Sequence, residues 1–282
     1  MGKKRILYIS QEISPYTKEN KRSNFCMNLP QVVQENDNDI RIFMPKFGTI
    51  NERRHQLHEV IRLSGMNLII DDFDHQLIIK VASVQQSRMQ VYFIDNEEYF
   101  PKRHYLNDPE GNFMHNNDER MMFFCKGVIE TVKKLGWAPD IIHCNGWFSA
   151  LVPMYIKKLY NKDPMFSNTK IYYTVFDNPF IGDLNNSLSE KLLFEDLQDK
   201  DVEMIGNPTF DNLNKFAISY SDAVVQGSKK LSKNLLNFIK NNNIPVLVKT
   251  DDDNFEEQCL SFYDSTDKTK KTKKNKQLVE VV

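Results

Sequence analysis

The chain has 282 residues, 40% of them apolar and 27% charged, with a net charge of −1. That length suffices for one large or two small domains with a sizeable core. The near-zero charge excludes a general bias toward nucleic acid or anionic membranes, and no apolar run reaches the length of a membrane span, so neither partner is expected.

In chain order, Met1-Gly2-Lys3-Lys4-Arg5 is basic, but Ile6 to Ser10 is too short for a secretory apolar region, and a cytoplasmic location is expected by default. Arg5 to Ser10 reads as a first strand, Gln11 to Lys21 as a polar loop, Ser23 to Gln34 as a helix and Asp39 to Pro45 as a second strand. This unit opens a doubly wound sheet. Glu59 to Phe100 reads as a β-rich insertion with strands at Glu59 to Leu63, Met66 to Ile70, Gln76 to Ser83 and Arg88 to Asp95. Tyr99 to Asn117 is polar and is expected to be a mobile loop.

Met122, Cys125, Val128, Ile129, Val132 and Leu135 recur at helical spacing, which predicts a helix from Asp118 to Leu135, stopped by Gly136 and Pro139. Asp140 to Cys144 is a short apolar run, the pattern of a strand buried on both faces. Asn145-Gly146 turns the chain, and Trp147 to Tyr160 reads as helical. Ligands of open α/β sheets bind beyond the carboxyl ends of strands, so the His143 to Trp147 turn is a candidate site.

Lys170 to Val175 reads as another buried strand, Leu184 to Asn207 as a charged helix, and Asp211 to Ser221 as a helix. Ser221 to Ser228 is a strand and turn, Leu231 to Ile239 a helix, and Pro245 to Lys249 a last edge strand. Asp251-Asp252-Asp253 is placed to cap a helix that ends at Tyr263, with Phe255, Cys259 and Phe262 on one face. Asp264 to Lys276 holds six lysines and no apolar residue and is expected to be a disordered tail.

Cys26, Cys125, Cys144 and Cys259 form no C-x-x-C pair and read as buried small apolar residues. His55 and His58 are three apart but lack a third ligand, so no metal is expected. No G-x-S-x-G, P-loop, H-E-x-x-H or G-x-G-x-x-G motif is present.

Several motifs carry a family resemblance: Asp118-Glu119-Arg120, then Trp137-Ala138-Pro139-Asp140-Ile141-Ile142-His143-Cys144-Asn145-Gly146-Trp147, then Ser149-Ala150-Leu151-Val152-Pro153. They resemble the D-x-x-R-F helix, the W-x-P-D-I-I-H-C-H-D-W strand and turn, and the T-A-L-x-P helix start of the N-terminal catalytic domain of bacterial glycogen and plant starch synthases. Those enzymes transfer glucose from ADP-glucose to an α-1,4-glucan. Upstream, Gln11-Glu12-Ile13-Ser14-Pro15 and Lys18-Glu19-Asn20-Lys21-Arg22 stand where the family has S-E-x-x-P and K-T-G-G-L. Downstream, Thr174-Val175-Phe176-Asp177-Asn178 stands where it has T-x-H-N.

The resemblance implies one Rossmann-like half of a two-domain GT-B glycosyltransferase, mostly parallel, over residues 1–249. It is followed by a helix over 250–263 and the lysine-rich tail over 264–282. No cofactor is implied. Lys18 matches the lysine that contacts the nucleotide-sugar phosphates, although a solvated charge run is its simpler reading. His143, Asn145, Trp147, Asp177 and Asn178 match positions near the sugar. His143 also reads as a packing residue, and Asp177 as a turn cap.

The departures fall at the chemistry. Asn20 and Lys21 replace two glycines whose backbone approaches a pyrophosphate. Asn145 and Gly146 replace a His and an Asp, and Phe176 replaces a His. No second nucleotide-binding unit is read after residue 249. Two functions stay open: a glucosyltransferase acting on ADP-glucose and glucan with a protein partner completing the cleft, or a non-catalytic module that binds glucan or a complete synthase and regulates it. No catalytic residue is assigned.

Overall fold

A computed structural model of the chain describes residues 3–84, 87, 89–182, 184–249 and 254–266. Strand β1 (Arg5–Ser10) leads through helix α1 (Lys21–Glu35) to β2 (Asp39–Pro45). Strands β3 (His58–Glu59), β4 (Met66–Ile70), β5 (Phe73–Ser83) and β6 (Gln90–Asp95) follow. Helix α2 (Asn117–Leu135), β7 (Ile141–Asn145), α3 (Val152–Lys158) and β8 (Lys170–Val175) form the centre. Then come α4 (Leu188–Leu193), α5 (Asp199–Val202), α6 (Phe210–Ser219), β9 (Ala223–Gln226), α7 (Lys233–Asn241) and β10 (Val246–Val248). A last helix, α8, covers residues 255–266.

The main sheet runs β10-β9-β8-β7-β1-β2-β6-β5-β3, with β4 paired to β5. From β10 to β6 every pairing is parallel, and β5 turns antiparallel against β6. From β1 the chain winds outward to β2, whereas β7 to β10 wind the other way. The strand order therefore reverses between β1 and β7, the point at which open α/β sheets present their ligands. The doubly wound, mostly parallel α/β fold expected from the apolar runs is the fold observed. β1 and β7 are buried along almost their full length, as strands covered by helices on both faces must be.

Several boundaries differ, each for a local reason. β6 was expected among the hairpins of the insertion, but it pairs parallel with β2 and is a core strand with five buried residues. Of the expected strand over Glu59 to Leu63 only Glu59 is extended, forming β3 with His58 before it, because the Val60 carbonyl takes the N–H groups of Leu63 and Ser64 and closes a turn. The helix expected over Leu184 to Asn207 is broken. Asp196 adopts φ 58°, a left-handed conformation that no α-helix passes through, and Gln198 and Asp201 start α5 with reciprocal caps. Trp147 to Tyr160 divides into a 3-10 turn over Trp147–Ser149 and α3, whose first turn holds Pro153 where no N–H is needed. Gly136 closes α2 at φ 62°, as its position predicted.

The segment between β6 and α2 is not a free loop. Arg120, fully buried near the start of α2, donates from Nε to the Tyr99 carbonyl at 2.6 Å and from Nη2 to the Tyr105 carbonyl at 2.6 Å. It also donates to Asn117 Oδ1 at 2.5 Å and lies 5.6 and 5.3 Å from the ring centroids of Phe47 and Phe100. Burial pulls the guanidinium down to about 10, so it keeps its charge at neutral pH. One side chain thus ties the segment, at two main-chain carbonyls, to the first turn of α2.

Helix α8 extends beyond its expected end at Tyr263. Asp264 to Thr266, expected in the tail, are helical: Lys4 pairs with Asp264 at 2.8 Å, and Lys170 Nζ donates to the Thr266 carbonyl at 3.0 Å. Phe255, Cys259 and Tyr263 form its buried face, with Phe262 only half-buried. The expected Asp251 to Asp253 cap and the tail from Asp267 onward lie outside the described residues. Cys26, Cys125, Cys144 and Cys259 are all buried free thiols. Among the described residues no helix is long and apolar enough to cross a membrane, and no group of His, Cys, Asp and Glu is placed to hold a metal ion.

Candidate functional site

The carboxyl ends of β1 and β7 lie side by side, with Ser10 in register with Asn145. Beyond them Gly146 turns the chain at φ 81°, a value that L side chains rarely adopt. The turn also sits close to its neighbours. A Cβ at Gly146 would lie 3.7 Å from the Phe176 ring, 3.8 Å from Gln11 Oε1 and 4.0 Å from Asn178 Nδ2. Two amide groups therefore meet around Gly146, Gln11 from the end of β1 and Asn178 from beyond β8, and Asn145, the last residue of β7, directly precedes the turn. Gln11 Oε1, Asn145 Oδ1 and Asn178 Oδ1 are buried and accept no hydrogen bond from the described residues. Asn145 Nδ2 donates to Ser10 Oγ at 3.3 Å, and Gln11 Nε2 donates to Tyr105 Oη at 3.4 Å. A buried acceptor left unmatched costs about 1–3 kcal/mol, so the cluster is suited to a ligand that brings hydroxyl or N–H donors.

The second feature is the start of α1. Asn20 is its N-cap, and its Oδ1 accepts the N–H groups of Arg22 at 2.8 Å and Ser23 at 3.0 Å. Ser23 Oγ returns the bond by accepting the Asn20 N–H at 2.9 Å. Asn20 Nδ2 donates to Glu12 Oε2 at 2.8 Å, and Arg22 Nε donates to Glu12 Oε1 at 2.6 Å. Free first-turn N–H groups make a helix N-terminus attractive to phosphate. Here two of those donors are already taken by the chain's own side chain, and a carboxylate lies beside them.

The third feature is an opening of about 380 Å³ at the ends of β8, β9 and β10. Phe25, Phe176 and Gly227 form its floor, and Arg22, Asp177, Lys229 and Lys230 stand around it. Gly227 is required there, since a Cβ would come within 2.5 Å of the Phe176 ring.

The sequence-derived candidates separate on this map. Asn178 approaches Gly146, the residue that follows Asn145. Asp177 is exposed at the basic opening, and its backbone N–H donates to Ser228 Oγ at 2.9 Å. Lys18 is exposed on the β1–α1 loop, and its carbonyl accepts from Asn20 Nδ2 and Ser23 Oγ. Trp147 is 1% exposed, with its ring against Phe113 and Phe180. His143 has no exposed surface. Its Nε2 lies 2.6 Å from Thr174 Oγ1 and its Nδ1 2.5 Å from Tyr263 Oη, beneath α8. Burial pushes its ring down to about 3, so it is neutral. Among the described residues no third ligand joins His55 and His58, and His55 packs edge-on against Tyr16. Sequence reading missed Gln11, although its place directly after the first strand at the reversal of strand order was a usable signal. It also missed Tyr105, whose carbonyl accepts from Arg120 and whose ring packs 4.4 Å from Phe47, contacts between residues far apart in the chain.

The starch synthase catalytic domain family matches residues 5–247 of the chain. The chain belongs to this family. It is 38% identical to the glycogen synthase of Chlorobium limicola over 194 residues, which is 68% of this chain and 40% of that protein. It is 34% identical to the glycogen synthase of Chlorobaculum tepidum over 233 residues, 82% of this chain and 47% of that protein. The catalytic domain of starch synthase IV from Arabidopsis thaliana, solved with ADP and acarbose, shares the fold with a TM-score of 0.69 at 19% identity, covering 87% of this chain and 52% of that one. The chain thus spans less than half the length of these two curated relatives. It is a glycogen/starch-synthase-like glycosyltransferase domain, and its sheet is the mostly parallel α/β sheet of GT-B glycosyltransferases.

Proposed function

We propose that this domain serves α-1,4-glucan metabolism by binding glucan, and that the chain alone does not transfer glucose from ADP-glucose. The observation that carries the reading is the Asn20 cap. The residue standing where the family has a glycine holds the Arg22 and Ser23 N–H groups itself and faces Glu12, so a diphosphate approaching there meets occupied donors and a negative charge. The amide cluster of Gln11, Asn145 and Asn178 supports the binding half of the proposal. Its uncharged acceptors suit sugar hydroxyls, and Asn145 and Asn178 are the glucan contacts we assign.

Lys18 keeps at most a peripheral nucleotide role in this reading, and His143 and Trp147 act by packing. A soluble, cytoplasmic setting and regulation of a complete synthase are consistent with the proposal. A second reading is favoured by the basic opening: Lys229 and Lys230 beside Arg22 suit an anionic donor whose remaining contacts come from a partner protein.

Purified chain incubated with ADP-glucose and glycogen is expected to release no ADP above the blank, yet to co-sediment with glycogen. Sustained ADP release without any added protein would overturn the first reading. Release that appears only with a partner protein would select the second.

A further inference from the structure

A groove of about 460 Å³ lies between α1, the β1–α1 loop, the segment around Arg54 to Gln56 and the end of β5. Its size falls within the range of small-molecule sites, roughly 300–1,000 Å³. It shares no lining residue with the basic opening at the ends of β8 to β10.

Its chemistry also differs. Asn28 and Gln31, three apart and therefore neighbours on one side of α1, present amides from one wall. Gln56 faces them from the other, in a segment turned by its own φ of 53°. Between them the Tyr16 and His55 rings meet at 5.0 Å and 62°, and Tyr16 is fixed in turn by an edge-on contact with the buried Phe93. Burial, and then the Arg54 cation, holds the His55 ring below the ordinary imidazole range, so it is uncharged at neutral pH. Among the described lining residues Arg54 is the one full charge, and no carboxylate is present.

Amides on two walls and an anchored aromatic pair between them match a neutral, polyhydroxylated ligand better than a phosphate, which calls for several cations. We infer that this groove is a second carbohydrate site, which takes a short stretch of α-1,4-glucan on the flank of α1. The identity of the sugar rests on the glucan-binding reading given above. Two separate contacts would let one domain hold a branched or folded glucan more firmly than either site alone, since the second contact becomes intramolecular.

The test is a titration of the full chain, labelled with nitrogen-15, with maltohexaose, following backbone amide shifts. Saturable shifts are expected at residues 28–31 and 54–56 as well as around Asn145 and Asn178. His55→Ala is expected to weaken the groove response about fivefold, the loss of one ring contact, and to leave the Asn145 response unchanged. Gln31→Ala, on the surface of α1, gives an independent reading with no risk to the core. Shifts around Asn145 and Asn178 alone would overturn the groove and leave the proposed function standing. No shift at either place would remove both. A groove response indifferent to both substitutions would also overturn the assignment.

Discussion

Replacing Arg120 by methionine is expected to destabilise the domain by about 3–5 kcal/mol, since each buried acceptor left unmatched costs about 1–3 kcal/mol and three are left. Methionine fills part of the volume but donates nothing. The Tyr99 and Tyr105 carbonyls and the Asn117 amide oxygen would each lose a charge-assisted bond in the interior, and the cation beside the Phe47 and Phe100 rings would be gone. Replacing a buried ion pair by apolar side chains is sometimes neutral, because both charges leave together. That escape is closed here, since two of the partners are main-chain carbonyls that no substitution at position 120 removes. For a domain of this size the loss corresponds to about 10 °C in melting temperature, readable by calorimetry. Arg120→Lys is expected to recover only part, because one ammonium cannot span three acceptors in different directions. The segment from Tyr99 to Asn117 should also become the first place cut by protease. A melting temperature within 2 °C or so of the natural chain would show that the segment is held by something else.

The second large effect concerns acid. His143 is neutral in the folded chain, its ring pushed down to about 3 by burial from an ordinary 6.5. The unfolded chain binds that proton first, so the contribution of His143 to stability is complete above about pH 6.5 and is lost as pH falls toward 3. Between about pH 7.5 and 4.5 this amounts to about 3 kcal/mol. Asp95, Asp118 and Glu195 act in the opposite sense, since burial raises each of their carboxyls and so favours the folded state at lower pH. A variant isolates the histidine. His143→Gln retains a side chain able to bond Thr174 and Tyr263 but has no proton to gain. Urea unfolding at the two pH values should show the natural chain losing about 3 kcal/mol more than the variant, with the carboxyl contributions common to both. Parallel losses in the two proteins would mean that the His143 ring is not sealed beneath α8.

The amount of this that could be read in the sequence varied with the range of the interactions. Apolar runs such as Ile6 to Ile9 and Ile141 to Cys144 announced parallel strands, and Gly136 marked the end of α2, because burial on both faces and a left-handed cap leave local signatures. β6 carried the same apolar pattern as a hairpin strand, and only its register with β2 assigns it to the core. The break at Asp196 depends on a single dihedral that composition does not reveal. At the site, the substitution of glycine by Asn20 was visible, and its direction of effect followed. Its mode was not, since occupation of the helix amides and the bond to Glu12 are matters of geometry. Packing of His143 was legible from the apolar run around it, but its partner was not: the tyrosine that bonds it lies 120 residues later, on a helix that closes over the sheet.

The central claim is that the first turn of α1 is already satisfied by Asn20 and therefore does not receive a nucleotide diphosphate. Calorimetric titration of ADP-glucose into the natural chain and into Asn20→Gly tests it most directly, because glycine at an N-cap costs only a few tenths of a kcal/mol and leaves the helix in place. The natural chain is expected to bind with a Kd of about 1 mM or weaker, and the glycine variant about tenfold more tightly as two N–H donors become available. Micromolar binding by the natural chain, unchanged in Asn20→Gly, would contradict the account.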